Sequence, residues 1–304
     1  MDPLLLVEDL RVTFSAEGRK LHAVRGISFE IKEGEAVGIV GESGCGKSAA
    51  VQAINRLTKG AVSGKILFKG KEIPSPGRDI GMVFQDPMTS LNPTMKIGVQ
   101  ISEGLIYHKL ASRNEAKARA AELLSLVGVS DPELRVHQYP HQFSGGMRQR
   151  VLIAIAIACN PRLLIADEPT TALDTTIQSQ ILDLLRKMRD HFKMSLLLIS
   201  HDFGVVASIC ERILVMYAGK IVESGSVDEV LNRPKHPYTQ MLLASLPRLD
   251  KPKSEPLMSI AGSPPNLLAL PKGCAFKERC PYAALKCNEE PPGPIACWRY
   301  LCSK

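Results

Sequence analysis

The sequence predicts an α/β protein with a mixed central sheet, an antiparallel β portion, a helical insert and a small cysteine-rich C-terminal extension. Three observations carry that expectation. The apolar run Ala36-Val37-Gly38-Ile39-Val40 passes through a glycine-rich turn into the helix-forming stretch Ala49 to Ala53. A second apolar run, Leu163 to Ala166, ends in the paired carboxylates Asp167 and Glu168, as a buried parallel strand does when it delivers polar groups to one sheet end. Between the two, from residue 86 to about 160, helical periodicity replaces strand patterning.

In chain order, Leu4 to Phe14 and Val24 to Ile31 read as strands joined by polar turn residues. Gly64 to Gly70 alternates as a half-exposed strand, and Ile80 to Phe84 reads as another antiparallel-type strand ending at Gln85. Asp86-Pro87 and Asn92-Pro93 break the chain. Ser112-Arg113-Asn114-Glu115 is then a capping box that opens a helix with Ala116, Ala120, Leu123, Leu124 and Val127 on one face, stopped by Gly128. Phe143-Ser144-Gly145-Gly146 precedes the apolar helix Val151 to Cys159. A helix over 177–192 leads to a further buried strand, Ser195 to Ser200, with His201 directly after it. A nucleotide-binding domain is expected over 1–235 and the extension over 236–304.

Composition limits the function classes. The 304 residues are 45% hydrophobic, ordinary for a globular chain. No stretch reaches the ~18 consecutive apolar residues that cross a bilayer. The opening Met1 to Asp9 carries no basic segment of a secretory signal, so the chain is expected to be cytoplasmic unless partners hold it elsewhere. The net charge of +7 is concentrated in residues 233–304, where 11 Lys/Arg face 5 Asp/Glu. A basic tail suits lipid heads, nucleic acid or an anionic cofactor alike, so its sign selects none of them.

The glycine turn carries the clearest chemistry. Residues 41–48, Gly-Glu-Ser-Gly-Cys-Gly-Lys-Ser, satisfy G-x-x-x-x-G-K-S between a strand and a helix. Gly41, Gly44 and Gly46 let successive N–H groups of the loop, with Ser43 and Cys45 between them, converge on phosphate oxygens. Lys47 adds a point charge for the β- and γ-phosphates, and the Ser48 hydroxyl suits Mg²⁺. The implied ligand is a nucleoside triphosphate with magnesium. Asp167 is placed to reach the magnesium shell and Glu168 to polarise the attacking water. Ser144-Gly145-Gly146 at a helix start is a second anion-binding device; one cradle suffices for one triphosphate, so this one invites a partner's nucleotide. Phe14 can stack on a base or simply pack.

Five of the eight cysteines fall at 274, 280, 287, 297 and 302. In a reducing compartment such a cluster reads first as metal binding. Cys274, Cys280, Cys287 and Cys297 give C-x₅-C-x₆-C-x₉-C, with Pro281, Pro291, Pro292 and Pro294 favouring loops that wrap a centre. Four thiolates suit a [4Fe-4S] cluster, and zinc as the alternative. Lys272, Lys277, Arg279, Lys286 and Arg299 could offset an anionic cluster. Cys302 is left over.

In this order and spacing, loop 41–48, Gln85, Ser144-Gly145-Gly146, Asp167-Glu168, Ala172-Leu173-Asp174 and His201 resemble the nucleotide-binding subunit of an ABC transporter, over roughly residues 4 to 240. The resemblance implies that Phe14 stacks on the base, Gln85 senses magnesium and the lytic water, and His201 contacts the γ-phosphate. It further implies that Ser144, Gly145 and Gly146 clamp a nucleotide across a head-to-tail dimer and that Asp174 couples the two sites. Phe143 and Met147 depart from the family's usual Leu and Gln.

Residues 84–93, Phe-Gln-Asp-Pro-Met-Thr-Ser-Leu-Asn-Pro, the Ser-Gly-Gly-Met-Arg-Gln-Arg run at 144–150, and His236-Pro237-Tyr238-Thr239 before a cysteine tail are similar to the oligopeptide/dipeptide importer ATPases, in the D-type form. That implies an F-type ATPase partner in a head-to-tail heterodimer. It also implies two transmembrane permease subunits, one docking a coupling helix after Gln85, an extracytoplasmic peptide-binding protein, and a location on the cytoplasmic face of the membrane. Nickel importers share the cassette type. No nucleic-acid partner is expected: only about a hundred residues separate Gly41 from Ser144, without the sustained heptads of chromosome-type relatives, and one cassette is present where ribosome-type relatives usually carry two.

Overall fold

The computed structural model describes residues 2–16, 18–73, 77–171, 173–246, 260–291 and 295–301. Ala172, Pro292, Pro294 and Cys302 lie outside the described residues.

The chain opens with two long strands, β1 (Leu5–Ala16) and β2 (Arg19–Ile31), the second starting five residues before the apolar stretch at Val24, with its first two residues exposed. The buried strand β3 (Ala36–Val40) follows, then helix α1 (Lys47–Ile54). Next come the exposed strand β4 (Ala61–Phe68), the short β5 (Lys71–Glu72) and the fully buried β6 (Ile80–Val83). The insert is α2 (Pro87–Ser90), α3 (Ile97–Tyr107), α4 (Arg113–Leu126), α5 (Pro132–Arg135) and α6 (Gly145–Ile157). Strand β7 (Leu163–Asp167), helix α7 (Thr175–Phe192) and strand β8 (Ser195–Ser200) complete the middle of the chain. Then come α8 (Phe203–Ile209), β9 (Arg212–Tyr217), β10 (Lys220–Ser226), α9 (Val227–Asn232), α10 (Pro237–Ala244) and α11 (Trp298–Leu301).

The contacts divide the chain into two units. The first comprises residues 1–5, 31–36 and 67–200. In it β6, β7 and β8 pair in parallel, Ile80 opposite Leu163 and Leu163 opposite Ser195. Every residue of the three strands is buried, which is why they read as continuous apolar runs. The expectation of an antiparallel strand over 80–84 is therefore corrected: Ile80–Val83 joins the parallel sheet. Its apolar composition specified burial, but the direction of its partner is set by a strand some eighty positions away.

The insert's helices owe their boundaries to local chemistry. Ser112 and Glu115 exchange the two hydrogen bonds of a capping box, and Gly128 takes the left-handed conformation just past α4, with φ +77°. Helix α6 is apolar around most of its circumference, so Val151, Ile153, Ala154 and Ile157 are buried. Helix α7 buries Ile181, Leu184, Leu185 and Met188 along one stripe.

The second unit comprises residues 6–30, 37–66 and 201–304. Here β3 runs parallel to β9, Val40 opposite Val215, and β10 returns antiparallel to β9. That sheet is mixed. Most of β1, β2 and β4 forms a separate sheet in the order β2-β1-β4. Gly38 lies where a Cβ would fall 2.0 Å from Val206 Cγ1, so α8 packs directly on the strand that feeds the glycine loop.

Candidate functional site

The phosphate loop leaves β3 at Val40 and enters α1 at Lys47. Each glycine has its own reason. A Cβ on Gly41 would stand 2.2 Å from the Met216 carbonyl oxygen, and one on Gly46, at φ +105°, 2.2 Å from that of Ala23. Gly44 is free of neighbours but needs φ +77°. The N-cap position of α1 is Gly46, which supplies no side-chain cap, so the helix start presents main-chain N–H groups. The Lys47 ammonium donates to the carbonyls of Gly41 at 2.7 Å and Glu42 at 3.0 Å. Ser43 is exposed and Ser48 half-buried. Cys45 is buried, and burial pushes its thiol up, away from redox reactivity. Phe14 is half-buried near Gly60, whose Cβ would meet the ring edge at 3.1 Å, and His201 is exposed.

The carboxylates belong to the first unit. Val83 pairs with Ala166, so Gln85 and Glu168, each two positions further on, emerge at the same end of the parallel ladder. The Gln85 amide donates to Glu168 Oε2 at 3.2 Å and the Thr171 hydroxyl donates to the same oxygen at 2.9 Å. Glu168 leaves the strand with φ +46°, in the left-handed region, while its N–H donates to the Ile199 carbonyl at 3.0 Å. Asp167, the last residue of β7, is buried. Sequence reasoning missed Thr171 and the backbone of Glu168; a hydroxyl three residues beyond the acid was the only signal for either.

Ser144 caps α6, its hydroxyl accepting from the Met147 N–H at 3.3 Å, and Asp174 caps α7, accepting from the Ile177 N–H at 2.9 Å. Both residues thus hold helix starts within this chain as well as being candidate site residues. A Cβ on Gly146 would lie 3.0 Å from Ile177 Cγ2, so close packing of α6 on α7 accounts for that glycine. It does not account for Gly145. There a Cβ would meet nothing within 4 Å and φ is not positive.

The cysteines form a second locus. Cys274, Cys280, Cys287 and Cys297 all line one cavity of about 310 Å³, together with Lys277, Lys286 and Arg299. Burial pushes the Cys274 thiol up, and the three other sulfurs push it further. Among the described residues no three His, Cys, Asp or Glu side chains stand close enough to hold one metal ion. Four thiols lining a shared void are a donor set that an iron–sulfur cluster and a tetrahedral zinc both use. Of the cations expected to offset a cluster, Arg279 is instead paired with Glu42, and the Lys272 carbonyl accepts from Lys277 Nζ at 3.0 Å.

The wall beside the cavity is anchored by polar groups, His236 and Tyr238 from the motif at 236–239 and Glu223, which the sequence did not flag. Buried Glu223 accepts from the N–H groups of Lys235 at 2.7 Å and His236 at 3.0 Å. His236 Nδ1 accepts from the Tyr238 N–H, so Nε2 carries the proton given to the Ala296 carbonyl. Burial lowers the pKa of this imidazole to about 4 and keeps it neutral.

Comparison with known proteins adds an independent line. The family model "ABC transporter" matches residues 24–171, and "Oligopeptide/dipeptide transporter, C-terminal region" matches 222–287. The chain is 52% identical to the oligopeptide transport ATP-binding protein OppD of Bacillus subtilis over 303 residues, covering 95% of this chain and 85% of that protein. It is 47% identical to the dipeptide transport ATP-binding protein DppD of the same organism, covering 98% and 95%. Among solved structures it resembles cbiO1 of Clostridium perfringens, part of the cbiONQ transporter complex, with a TM-score of 0.65 at 31% identity over 77% of this chain and 92% of that one. It also resembles a dimeric, post-hydrolysis ATP-binding cassette bound to ADP and Pi, with a TM-score of 0.65 at 29% identity over 73% and 98%.

Proposed function

We propose how this chain, which belongs to the ATP-binding subunits of the oligopeptide/dipeptide ABC transporters, couples nucleotide to transport. The protein is an ATPase with the ATP-binding cassette fold, and its hydrolysis of ATP powers peptide import.

The loop amides of residues 41–46 and the Lys47 ammonium receive the β- and γ-phosphates, with Phe14 against the base and His201 toward the γ-phosphate. Ser48, Gln85 and Asp167 are the residues that would hold Mg²⁺, which neutralises phosphate charge when bound. Glu168 takes the proton of the attacking water. The observation that carries this role is its double tether: Thr171 and Gln85 both donate to Oε2, which fixes the carboxylate at the end of the parallel ladder. Holding the acid in one orientation removes the entropy of finding it. Gly145 supports the trans clamp, since nothing in the chain's own packing calls for a glycine there. Ser144, Gly145 and Gly146 then serve the nucleotide of a dimer partner, and Asp174, at the start of the helix that packs on Gly146, couples the two sites.

The ATPase dimerises and works with membrane permease subunits. In finer terms, the dimer is a head-to-tail pairing with an F-type ATPase. The segment after Gln85 receives a permease coupling helix, and an extracytoplasmic binding protein selects the peptide. No helix among the described residues is long and apolar enough to cross a membrane, in keeping with peripheral attachment at the cytoplasmic face. Residues 1–235 form the nucleotide-binding domain and 236–304 the extension. Peptide import is favoured over nickel import by the relatives' transport of oligopeptides and dipeptides. Detergent extraction and identification of co-purifying chains tests the assembly: two polytopic subunits and a second ATPase are expected, and ribosomes or DNA would overturn it.

The extension is proposed to hold an iron–sulfur cluster through Cys274, Cys280, Cys287 and Cys297, with a structural or redox-sensing part. The shared cavity supports this, and Lys277, Lys286 and Arg299 supply positive charge. Anaerobic purification followed by iron, acid-labile sulfide and zinc analysis decides it. Stoichiometric zinc without sulfide refutes the cluster, and no metal leaves a thiol-lined cavity.

A further inference from the structure

The second residue of the phosphate loop is held from the C-terminal segment. Arg279 donates two hydrogen bonds to the Glu42 carboxylate, Nη1 to Oε2 at 2.8 Å and Nη2 to Oε1 at 3.0 Å, across 237 positions of sequence. The fork is shielded from water, with the Arg279 side chain 6% exposed and that of Glu42 22%. Such bidentate charge-assisted pairs are directional as well as strong.

Arg279 is itself fixed on every side. Its Nε donates to the Ala261 carbonyl at 3.1 Å and its Nη1 also to the Tyr217 hydroxyl at 3.3 Å. The guanidinium carbon lies 5.9 Å from the ring centres of both Tyr217 and Phe276. The main-chain N–H of Glu42 donates to the Tyr238 hydroxyl at 2.9 Å, and Tyr238 packs fully buried against Tyr217 and Phe276. The Glu42 carbonyl, in turn, accepts from Lys47 Nζ. One residue thus joins the tail's arginine, the aromatic cluster and the loop's lysine.

A pair that only fastened the tail to the body could sit anywhere on the surface. This one engages the phosphate loop itself, at its second residue, so the charge it neutralises belongs to that loop. An uncompensated carboxylate beside the triphosphate site would repel the ligand, and more strongly in a water-poor setting.

We propose that Arg279 is a positioning residue for ATP binding: it neutralises Glu42 and holds the phosphate loop in shape, so nucleotide affinity depends on how the C-terminal segment packs. The inference rests on the assignment of residues 41–48 as the ATP site. Because Arg279 immediately precedes Cys280, loosening the cysteine-lined cavity is felt at Glu42.

The test uses the assembled transporter, measuring ATP dependence of hydrolysis and equilibrium binding of a non-hydrolysable ATP analogue. Arg279→Gln is expected to raise KM and the analogue Kd about tenfold, with kcat within about twofold, since losing a charged hydrogen-bond partner at this site weakens binding rather than chemistry. Arg279→Lys, which keeps the charge without the fork, gives an intermediate rise and remains readable if Arg279→Gln does not assemble. The double variant Glu42→Gln/Arg279→Gln recovers most of the affinity, because the unneutralised carboxylate is gone. A purely structural pair would lower Tm while leaving KM alone. Unchanged KM in Arg279→Gln and Arg279→Lys overturns the proposal, as does a double variant no better than Arg279→Gln. Lys47→Ala separates the two readings: unimpaired analogue binding there overturns the ATP-site assignment and the inference with it, whereas lost binding there with unchanged KM in the arginine variants overturns the inference alone.

Discussion

Replacing Glu168 by Gln isolates the chemistry of the carboxylate from its packing. Thr171 Oγ1 and Gln85 Nε2 both donate to Oε2, at 2.9 and 3.2 Å. The amide oxygen of glutamine takes over that acceptor position, so the tether and the left-handed backbone at 168 survive. What is lost is the negative charge and the basic lone pair that accepts the water's proton. A positioned general base contributes about 10²–10⁴ in rate, so kcat is expected to fall on the order of 10²–10³-fold, or about 3–4 kcal/mol of barrier. The KM for ATP stays within about threefold because the phosphates are held elsewhere. The assay is phosphate release by the assembled transporter, with the corresponding glutamate of the partner ATPase also replaced so that its site cannot mask the loss. Turnover within about threefold of the parent, with ATP binding intact, would falsify the assignment of Glu168 as the base.

Lys47→Ala removes the cation of the loop and is expected to weaken ATP binding at least tenfold, read from analogue titration. Ser144→Arg places bulk and charge at the start of α6. It is expected to spare nucleotide binding by the isolated chain yet block the closed dimer, seen as failure to occlude the partner's nucleotide; loss of this chain's own loop nucleotide instead would mean that Ser144 acts in cis. Ser112→Ala breaks the capping box of α4 and costs about 1 kcal/mol in chemical denaturation, and no change in the midpoint would count against the cap. The Ser112 hydroxyl and N–H hold the Glu115 carboxyl below its ordinary value of 4.5. Its contribution is therefore full above that value and fades as pH falls through the lower folded-state value, a sensitivity that Ser112→Ala weakens by removing the hydroxyl while the N–H remains.

Much of this fold was legible because its signals are local. The phosphate loop is eight consecutive residues, the capping box four, and strands β7 and β8 are unbroken apolar runs whose ends matched the structure to within a residue. Pairing direction was not local: Ile80–Val83 looks alike as a parallel or an antiparallel strand, and only its partner at Leu163 decides. Double duties were also hidden. Ser144 and Asp174 fit a nucleotide and a partner site, and the same Ser and Asp before helical runs also fit N-caps, so the sequence alone does not separate the two duties that the structure shows can share one residue. The Arg279–Glu42 pair was out of reach for a simpler reason, since no periodicity relates residues 237 apart. By sequence Arg279 reads as one of the cations that could offset a cluster, whereas its side chain turns to Glu42.

The left-handed backbone of Glu168 has a consequence for anyone who evolves or redesigns this protein. At φ +46° a side chain with a Cβ is strained by roughly 1 kcal/mol, and glycine would relieve it. A screen for heat resistance alone would therefore enrich glycine at 168 and, with Glu168 as the proposed base, return hardier proteins that no longer turn over ATP. Any stability campaign on this scaffold has to keep that one position fixed, or select for transport and survival of heating together.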